Sequence, residues 1–243
     1  MLNYDYFYNI FMTCIICYLP AIYIFKRYID SLDINTKIWL SEKLKISWSI
    51  WCFSLSLFSL FGTLYTGKYI FIDRMTPKIF ETEYELWYNL FIVSKIPELL
   101  DTFFIIARSK KLVALQYYHH FVTLVISFYS WKYLCSKIVI FIFMNYFVHF
   151  FMYFYFGLYC YVNKNKYIKM YGTFVNIIQT LQMIIAVILG VYLFYNECDF
   201  ECKINLTNNE LNSIIYSGIV MYISYFILFI LLFFERNERI KKD

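Results

Sequence analysis

Charge is what this chain has least of. Asp, Glu, Lys and Arg make up 16% of its 243 residues, against about a quarter in an ordinary soluble domain, so a water-facing globule is not the expectation. Histidine is rarer still. His119, His120 and His149 are the only three, and all lie in hydrophobic segments. Nothing resembles a nucleic-acid motif, so no nucleic-acid partner is expected despite a net charge of +5; the lysines sit beside hydrophobic segments, as membrane-flanking anchors do. There is no internal repeat and no soluble domain. The seven cysteines give no metal-binding pair. Cys14 and Cys17 share a helical face in a hydrophobic stretch and read as packing residues. Cys198 and Cys202 fall in a polar loop, where they can form a disulfide if the loop faces an oxidising lumen. The opening "MLNYDYFYNIFMTCIICYLPAIYIF" has no basic n-region and no clear small-residue cleavage site, and reads as a first spanning helix rather than a cleaved signal.

Apolar sequence is what is abundant. Hydrophobic residues reach 61%, mean hydropathy is +0.56, and the apolar residues come in long runs. A helix needs roughly 20 apolar residues to cross a bilayer. Seven segments qualify, at approximately 7–25, 47–66, 86–107, 112–131, 138–162, 170–195 and 214–234. The expected fold class is an all-α integral membrane protein of seven transmembrane helices, one domain over residues 1–243. The third segment is interrupted by Lys95, Glu98 and Asp101, but its flanks "LWYNLFIV" and "FFIIA" are strongly apolar. The link "RSKK" to the fourth is short enough to demand a tight helical hairpin.

Orientation follows from the basic residues of the connections. Of the 22 Lys and Arg residues, 15 fall on one side: Lys26, Arg27, Lys37, Lys43, Lys45, Arg108, Lys110, Lys111, Lys164, Lys166, Lys169, Arg236, Arg239, Lys241 and Lys242. The other side has 6, namely Lys68, Arg74, Lys78, Lys132, Lys137 and Lys203. The C-terminus is therefore expected in the cytosol and the N-terminus in the lumen. The loop 196–213 is then luminal and holds the sequon Asn205-Leu206-Thr207, a candidate glycan site. The terminal "RIKKD" resembles a loose dilysine retrieval signal for the endoplasmic reticulum.

Ionisable groups in hydrocarbon are costly unless paired or facing a cavity, and here they cluster in stripes at helical spacing. Lys95, Glu98 and Thr102 share one face, flanked by Asp101, and Pro97 should kink that helix. Gln116, His119 and His120 form the second stripe. Asn145, His149, Met152 and Tyr153 form the third, and Asn176, Gln179 and Gln182 the fourth. Taken singly, each has a plain structural reading: a self-neutralising Lys–Glu pair, interhelical amide glue, a satisfied core histidine. Taken together, three histidines with carboxylates and amides point to one shared site. His119 and His120 lie one to two turns past the "RSKK" hairpin, within reach of a cytosolic reagent.

Adjacent histidines suggest a metal first. Membrane di-iron desaturases and hydroxylases carry boxes ending in HH, but two irons need more ligands than three histidines supply. No HExxH-type zinc spacing is present. No metal is therefore expected. What remains for a buried, uncharged imidazole is action as base or nucleophile. Histidine can form a covalent intermediate that divides one hard step into two, and nearby carboxylates and amides can fix its tautomer or polarise an acceptor carbonyl.

These residues resemble the ELO family, the elongases of very-long-chain fatty acids. "KIPELLDT" (95–102) matches that family's KxxExxDT, "QYYHH" (116–120) stands where HxxHH is usual, "NYFVHFFMY" (145–153) matches NxxxHxxMY, and "NIIQTLQ" (176–182) resembles TxxQxxQ. Gln116 replaces the first histidine of the box and Asn176 replaces a threonine. The resemblance implies six of seven helices around a narrow acyl-chain tunnel closed towards the lumen. It implies the condensing step of elongation: malonyl-coenzyme A and a long-chain acyl-coenzyme A give 3-oxoacyl-coenzyme A, carbon dioxide and coenzyme A. His119 would take the acyl group as an acyl-imidazole, with His149 as partner and His120 and Asn145 orienting or polarising. Lys95, Arg108, Lys110 and Lys111 become candidates for coenzyme A phosphates. Glu98, Asp101, Thr102, Gln116, Tyr153, Gln179 and Gln182 become further substrate-site residues. No cofactor is implied. Implied partners are membrane lipids and the 3-oxoacyl-coenzyme A reductase, dehydratase and enoyl-coenzyme A reductase that complete the cycle, and a homodimer is compatible. The alternative is a seven-helix transporter or receptor with a polar intramembrane site.

Overall fold

The computed structural model describes residues 4–75, 83–131, 133, 135–162, 165–195, 202 and 207–240, the side chains of 4–6, 208 and 233–240 excepted. Among these residues regular structure is helical: α1 (Tyr4–Ser31), α2 (Ile34–Phe71), α3 (Glu83–Glu98), α4 (Leu100–Ala107), α5 (Ala114–Trp131), a 3-10 turn (Ser136–Ile138), α6 (Val139–Val162), α7 (Lys166–Tyr195) and α8 (Asn208–Ile240). Every expected apolar segment is found as helix. Five are long and apolar enough to cross a membrane, at Phe7–Ser31, Ile34–Phe71, Ser136–Val162, Lys166–Tyr195 and Asn209–Leu232. The protein is thus a multi-pass membrane protein. The two expected segments outside those five are α3 with α4, and α5. They fall short because they are broken or polar, and they carry two of the four polar stripes.

α2 begins well before the expected 47. Asp33 caps it, Oδ1 accepting from the N–H groups of Asn35 at 2.9 Å and Thr36 at 3.0 Å. The Thr36 hydroxyl and these N–H groups hold the Asp33 carboxyl below its ordinary value. The helix runs for 38 residues, about 57 Å at 1.5 Å per residue, against a hydrocarbon core of about 30 Å. Its surplus turns, with Lys37, Glu42, Lys43 and Lys45, reach past the apolar zone.

The break between α3 and α4 follows from Pro97, which has no N–H to offer the Val93 carbonyl. The turn tightens to i→i+3 bonds, from Leu99 N to Ile96 O at 3.1 Å and from Thr102 N to Leu99 O at 3.2 Å. The hairpin after α4 closes as a Schellman turn, with Lys110 N on Ile105 O at 3.0 Å, Ser109 N on Ile106 O at 2.8 Å, and Ser109 at φ 52°.

Six helical units pack in a closed order: α2 on α6, α6 on α7, α7 on α8, α8 on α5, α5 on α3, and α3 with α4 back on α2. α1 lies outside this ring, against α4 and α5. The α2–α6 seam is made by small residues. Ser49, Cys52, Ser56, Ser59, Gly62 and Thr66 line the buried face of α2. A Cβ on Gly62 would stand 2.6 Å from the Tyr146 ring, so only glycine admits this approach. Ser49 Oγ donates to Gly157 O at 3.0 Å and Ser56 Oγ to Phe150 O at 2.9 Å, the small-residue and hydroxyl packing that membrane helices favour.

One expectation is corrected. Cys202 pairs with Cys135 rather than Cys198, in a disulfide spanning 67 residues. The bond ties the turn after α5 to the segment before α8, because α5 and α8 are ring neighbours although far apart in sequence. Cys198, Lys78, Lys132, Lys164, Lys203, Asn205, Leu206, Lys241 and Lys242 lie outside the described residues.

Candidate functional site

Two cavities occupy the ring. The first, of about 420 Å³, is the more polar of the two: Lys45, Asp101, Arg108, Lys110, Gln116, His120, His149, Gln179 and Gln182 border it. The second, of about 110 Å³, is mostly apolar, bordered by Ile142, Phe141, Leu193, Leu211 and Ile214. His119, Asn145 and Tyr225 border both. Past the apolar cavity, Ile138 and Ile214 pack on Tyr133 and the Cys135–Cys202 bond. The hairpin with Arg108 and Lys110 stands at the other end.

Around the junction, hydrogen bonds assign the side chains. Lys95 Nζ donates to Glu98 Oε1 at 2.7 Å and to Asn145 Oδ1 at 3.3 Å. An ammonium only donates, so the lysine takes the oxygen of the Asn145 amide and turns its nitrogen towards His149 Nε2, 3.3 Å away. His149 Nε2 therefore accepts, and its proton sits on Nδ1. Gln116 Nε2 likewise donates to His120 Nε2 at 2.7 Å, and an amide nitrogen cannot accept. Asp101 takes Trp51 Nε1–H on Oδ1 at 2.7 Å and the Tyr153 hydroxyl on Oδ2 at 2.6 Å. Its 3.7 Å separation from His120 Nε2 is beyond a hydrogen bond. His119 differs from the other two imidazoles: among the described residues neither of its ring nitrogens is hydrogen-bonded. Its ring lies 5.5 Å from His120, 6.3 Å from His149 and 4.7 Å from Tyr225, centroid to centroid.

The structure brings most of the expected residues to the polar cavity: His119, His120, His149, Asn145, Asp101, Arg108, Lys110, Gln116, Met152, Gln179 and Gln182. Gln179 Nε2 meets Met152 Sδ at 3.3 Å. Lys95, Glu98 and Tyr153 stand buried behind it rather than bordering the space: Lys95 is bonded to Asn145 and Glu98, Glu98 to Lys95 and Ser94, and Tyr153 to Asp101. Thr102 points elsewhere, to the Tyr18 hydroxyl of α1 at 2.7 Å, and so holds α1 to α4. Lys111 borders a separate groove with Leu231 and Leu232. Asn176 is exposed on the outer face of α7, because a residue three before Gln179 rotates about 60° away on a 3.6-residue helix. Sequence reasoning missed Trp51, Lys45 and Tyr225. Nothing marks Tyr225 among 26 tyrosines, and Trp51 gives no sign of its carboxylate partner.

Five helices long and apolar enough to cross a membrane, and a ring that encloses histidines, carboxylates and an apolar cavity, define a multi-pass membrane protein with a polar site inside its helical ring. The chain belongs to the ELO family: the model of that family, described as GNS1/SUR4, matches residues 5–243. It is similar to "Very long chain fatty acid elongase 6" of Gallus gallus, 33% identical over 196 residues, 76% of this chain and 71% of that one. The Homo sapiens protein of the same name is 32% identical over the same shares. "Fatty acid elongase 2" of Trypanosoma cruzi (strain CL Brener) is 29% identical over 212 residues, 79% of this chain and 73% of that one.

Proposed function

We propose that this protein is the condensing enzyme of fatty acid elongation, with His119 as the acyl-accepting nucleophile. Family membership and the relatives' names support a role in elongation. The observation that carries the assignment is His119 itself, on the border of both cavities with neither ring nitrogen hydrogen-bonded among the described residues, while His120 and His149 accept from Gln116 and Asn145. A fatty acyl chain suits the apolar cavity, and a polyanionic coenzyme A suits the polar one, beside Lys45, Arg108 and Lys110.

The two cavities then form one tunnel. The imidazole lone pair of His119 attacks the thioester carbonyl, the carbon–sulfur bond breaks, and the sulfur leaves with its electron pair. The ring proton released on acylation neutralises the thiolate. Malonyl-coenzyme A loses carbon dioxide, and the carbon–carbon electron pair becomes an enolate. The enolate carbon attacks the acyl-imidazole and expels the imidazole, which recovers its proton from water. The products are 3-oxoacyl-coenzyme A, coenzyme A and carbon dioxide. Asn145, held by Lys95, and His149, which accepts from Asn145, face the reacting carbonyl. Asp101, held by Trp51 and Tyr153, backs the wall beside His120. No step uses a metal.

All seven helical units cross the membrane in this reading, α3 with α4 and α5 turning their polar groups into the ring. The disulfide end faces an oxidising lumen, and the basic end faces the cytosol. The endoplasmic reticulum membrane meets both conditions. The reductases and dehydratase of the cycle would act on the product.

Purified protein with radiolabelled malonyl-coenzyme A and a long-chain acyl-coenzyme A should place label in a 3-oxoacyl product two carbons longer, and His119→Ala should not. Label retained only in malonyl-coenzyme A would rule the reading out.

A further inference from the structure

We propose that Tyr225 is a positioning residue for His119, acting through a relay that runs from the Thr123 hydroxyl to the Tyr225 hydroxyl to the His119 backbone carbonyl. The proposal rests on His119 being the nucleophile, and it assigns a role to a residue of α8 that none of the four polar stripes contains.

Three contacts converge. The Tyr225 hydroxyl donates to His119 O at 3.1 Å. It also meets Thr123 Oγ1 at 2.7 Å. Its ring lies 4.7 Å from the His119 ring at an interplanar angle of 43°. A carbonyl only accepts and a phenol has one proton, so that proton goes to His119 O. The Thr123 hydroxyl must then donate to the phenol oxygen, and the direction of the relay is fixed. Helical geometry offers one lone pair of His119 O to the N–H of Thr123, and the phenol takes the second.

A buried tyrosine hydroxyl is usually given a partner, and tying α8 to α5 would supply one alone. Two features go further. The same side chain grips His119 at both backbone and ring, and it borders both cavities. Its ring closes off the side of the imidazole towards α8. With that side closed, the imidazole is left facing the junction with Asn145 and His149. The side chain thus acts on the angle of attack, while the width of the passage is set by its ring, which phenylalanine retains.

The test is single-turnover acylation by acyl-coenzyme A alone, followed by intact-mass spectrometry across a range of acyl-coenzyme A concentrations. Tyr225→Phe keeps ring and volume and should slow acylation by about five- to tenfold, the factor one ordinary hydrogen bond supplies, with half-saturation changed by less than about twofold. Thr123→Val should slow the wild-type protein by a smaller factor and add nothing in the Tyr225→Phe background, because the threonine acts only through the phenol. Unchanged acylation in Tyr225→Phe, equal changes in rate and half-saturation, or independent effects of the two substitutions would each overturn the relay. A wild-type protein that forms no adduct on His119 would overturn the acyl-imidazole reading and the relay with it, an outcome distinct from a wild-type adduct whose rate ignores Tyr225.

Discussion

Three imidazoles stand within one cluster, yet their neighbours give them different work. His149 Nε2 accepts from Asn145, and His120 Nε2 accepts from Gln116; His119, with neither ring nitrogen hydrogen-bonded among the described residues, is the proposed nucleophile. The glutamine at 116 cannot titrate, but its amide can donate. Gln116→Leu leaves the buried His120 acceptor without its donor, a loss of about 1–3 kcal/mol. Condensation should fall by about tenfold or more, while Gln116→His, which can donate through a ring nitrogen, should keep most of it; parallel rate measurements on the two variants decide this. The histidine and amide stripes were legible in the sequence because helical spacing alone puts Gln116 with His120 and Asn145 with His149. What was not legible depends on which helix faces which. The Trp51–Asp101 bond crosses from α2 to α4 and the Tyr225–His119 bond from α8 to α5, and no local pattern carries either. Thr102, on the same stripe as Lys95, shows the converse: shared periodicity placed it on the site face, while the position of α1 gave it Tyr18 instead.

At the scale of elements, each of the seven apolar segments falls on helix, the third divided at Pro97 into α3 and α4. The ends were less legible. α2 starts at Ile34 because Asp33 caps it, and a capped polar stretch carries no hydropathy signal. The turn after α4 holds Ser109 at φ 52°, a region that costs an L-residue about 1–2 kcal/mol per residue. Ser109→Gly should therefore raise thermal stability in detergent, by up to about 1 kcal/mol after the added freedom of the unfolded glycine is counted. A lower melting temperature would show that the serine side chain stabilises the turn. Gly62→Leu should do the opposite, since Tyr146 stands 2.6 Å from the site of its Cβ and overpacking of this kind costs about 1–3 kcal/mol. Loss of the α2–α6 seam would appear as a lower melting temperature and a lower yield of monodisperse protein.

For the whole molecule, the basic hairpin and the disulfide stand at opposite ends of the paired cavities. The Cys135–Cys202 bond closes a loop of 67 residues, and loop-closure entropy alone assigns such a bond roughly 4 kcal/mol. Cys135→Ser with Cys202→Ser should lower thermal stability markedly, and the loss should be matched by strong reductant on the wild-type protein. Equal melting of oxidised and reduced protein would show that the bond contributes nothing. In sealed microsomes, a tag after Asp243 should react with an impermeant reagent before permeabilisation; reaction only afterwards would invert the proposed topology. The mechanism as a whole, however, stands on a covalent bond to one nitrogenous ring at the meeting point of a polar and an apolar chamber. The direct measurement is intact-mass and peptide mass spectrometry after incubation with acyl-coenzyme A in the absence of malonyl-coenzyme A. The expected result is one acyl group on His119, with an equal amount of free coenzyme A and no adduct in His119→Ala. An adduct that persists in His119→Ala, or condensation at the full rate with no acylated protein under trapping conditions, would contradict it and leave His119 a base or orienting group in a ternary complex.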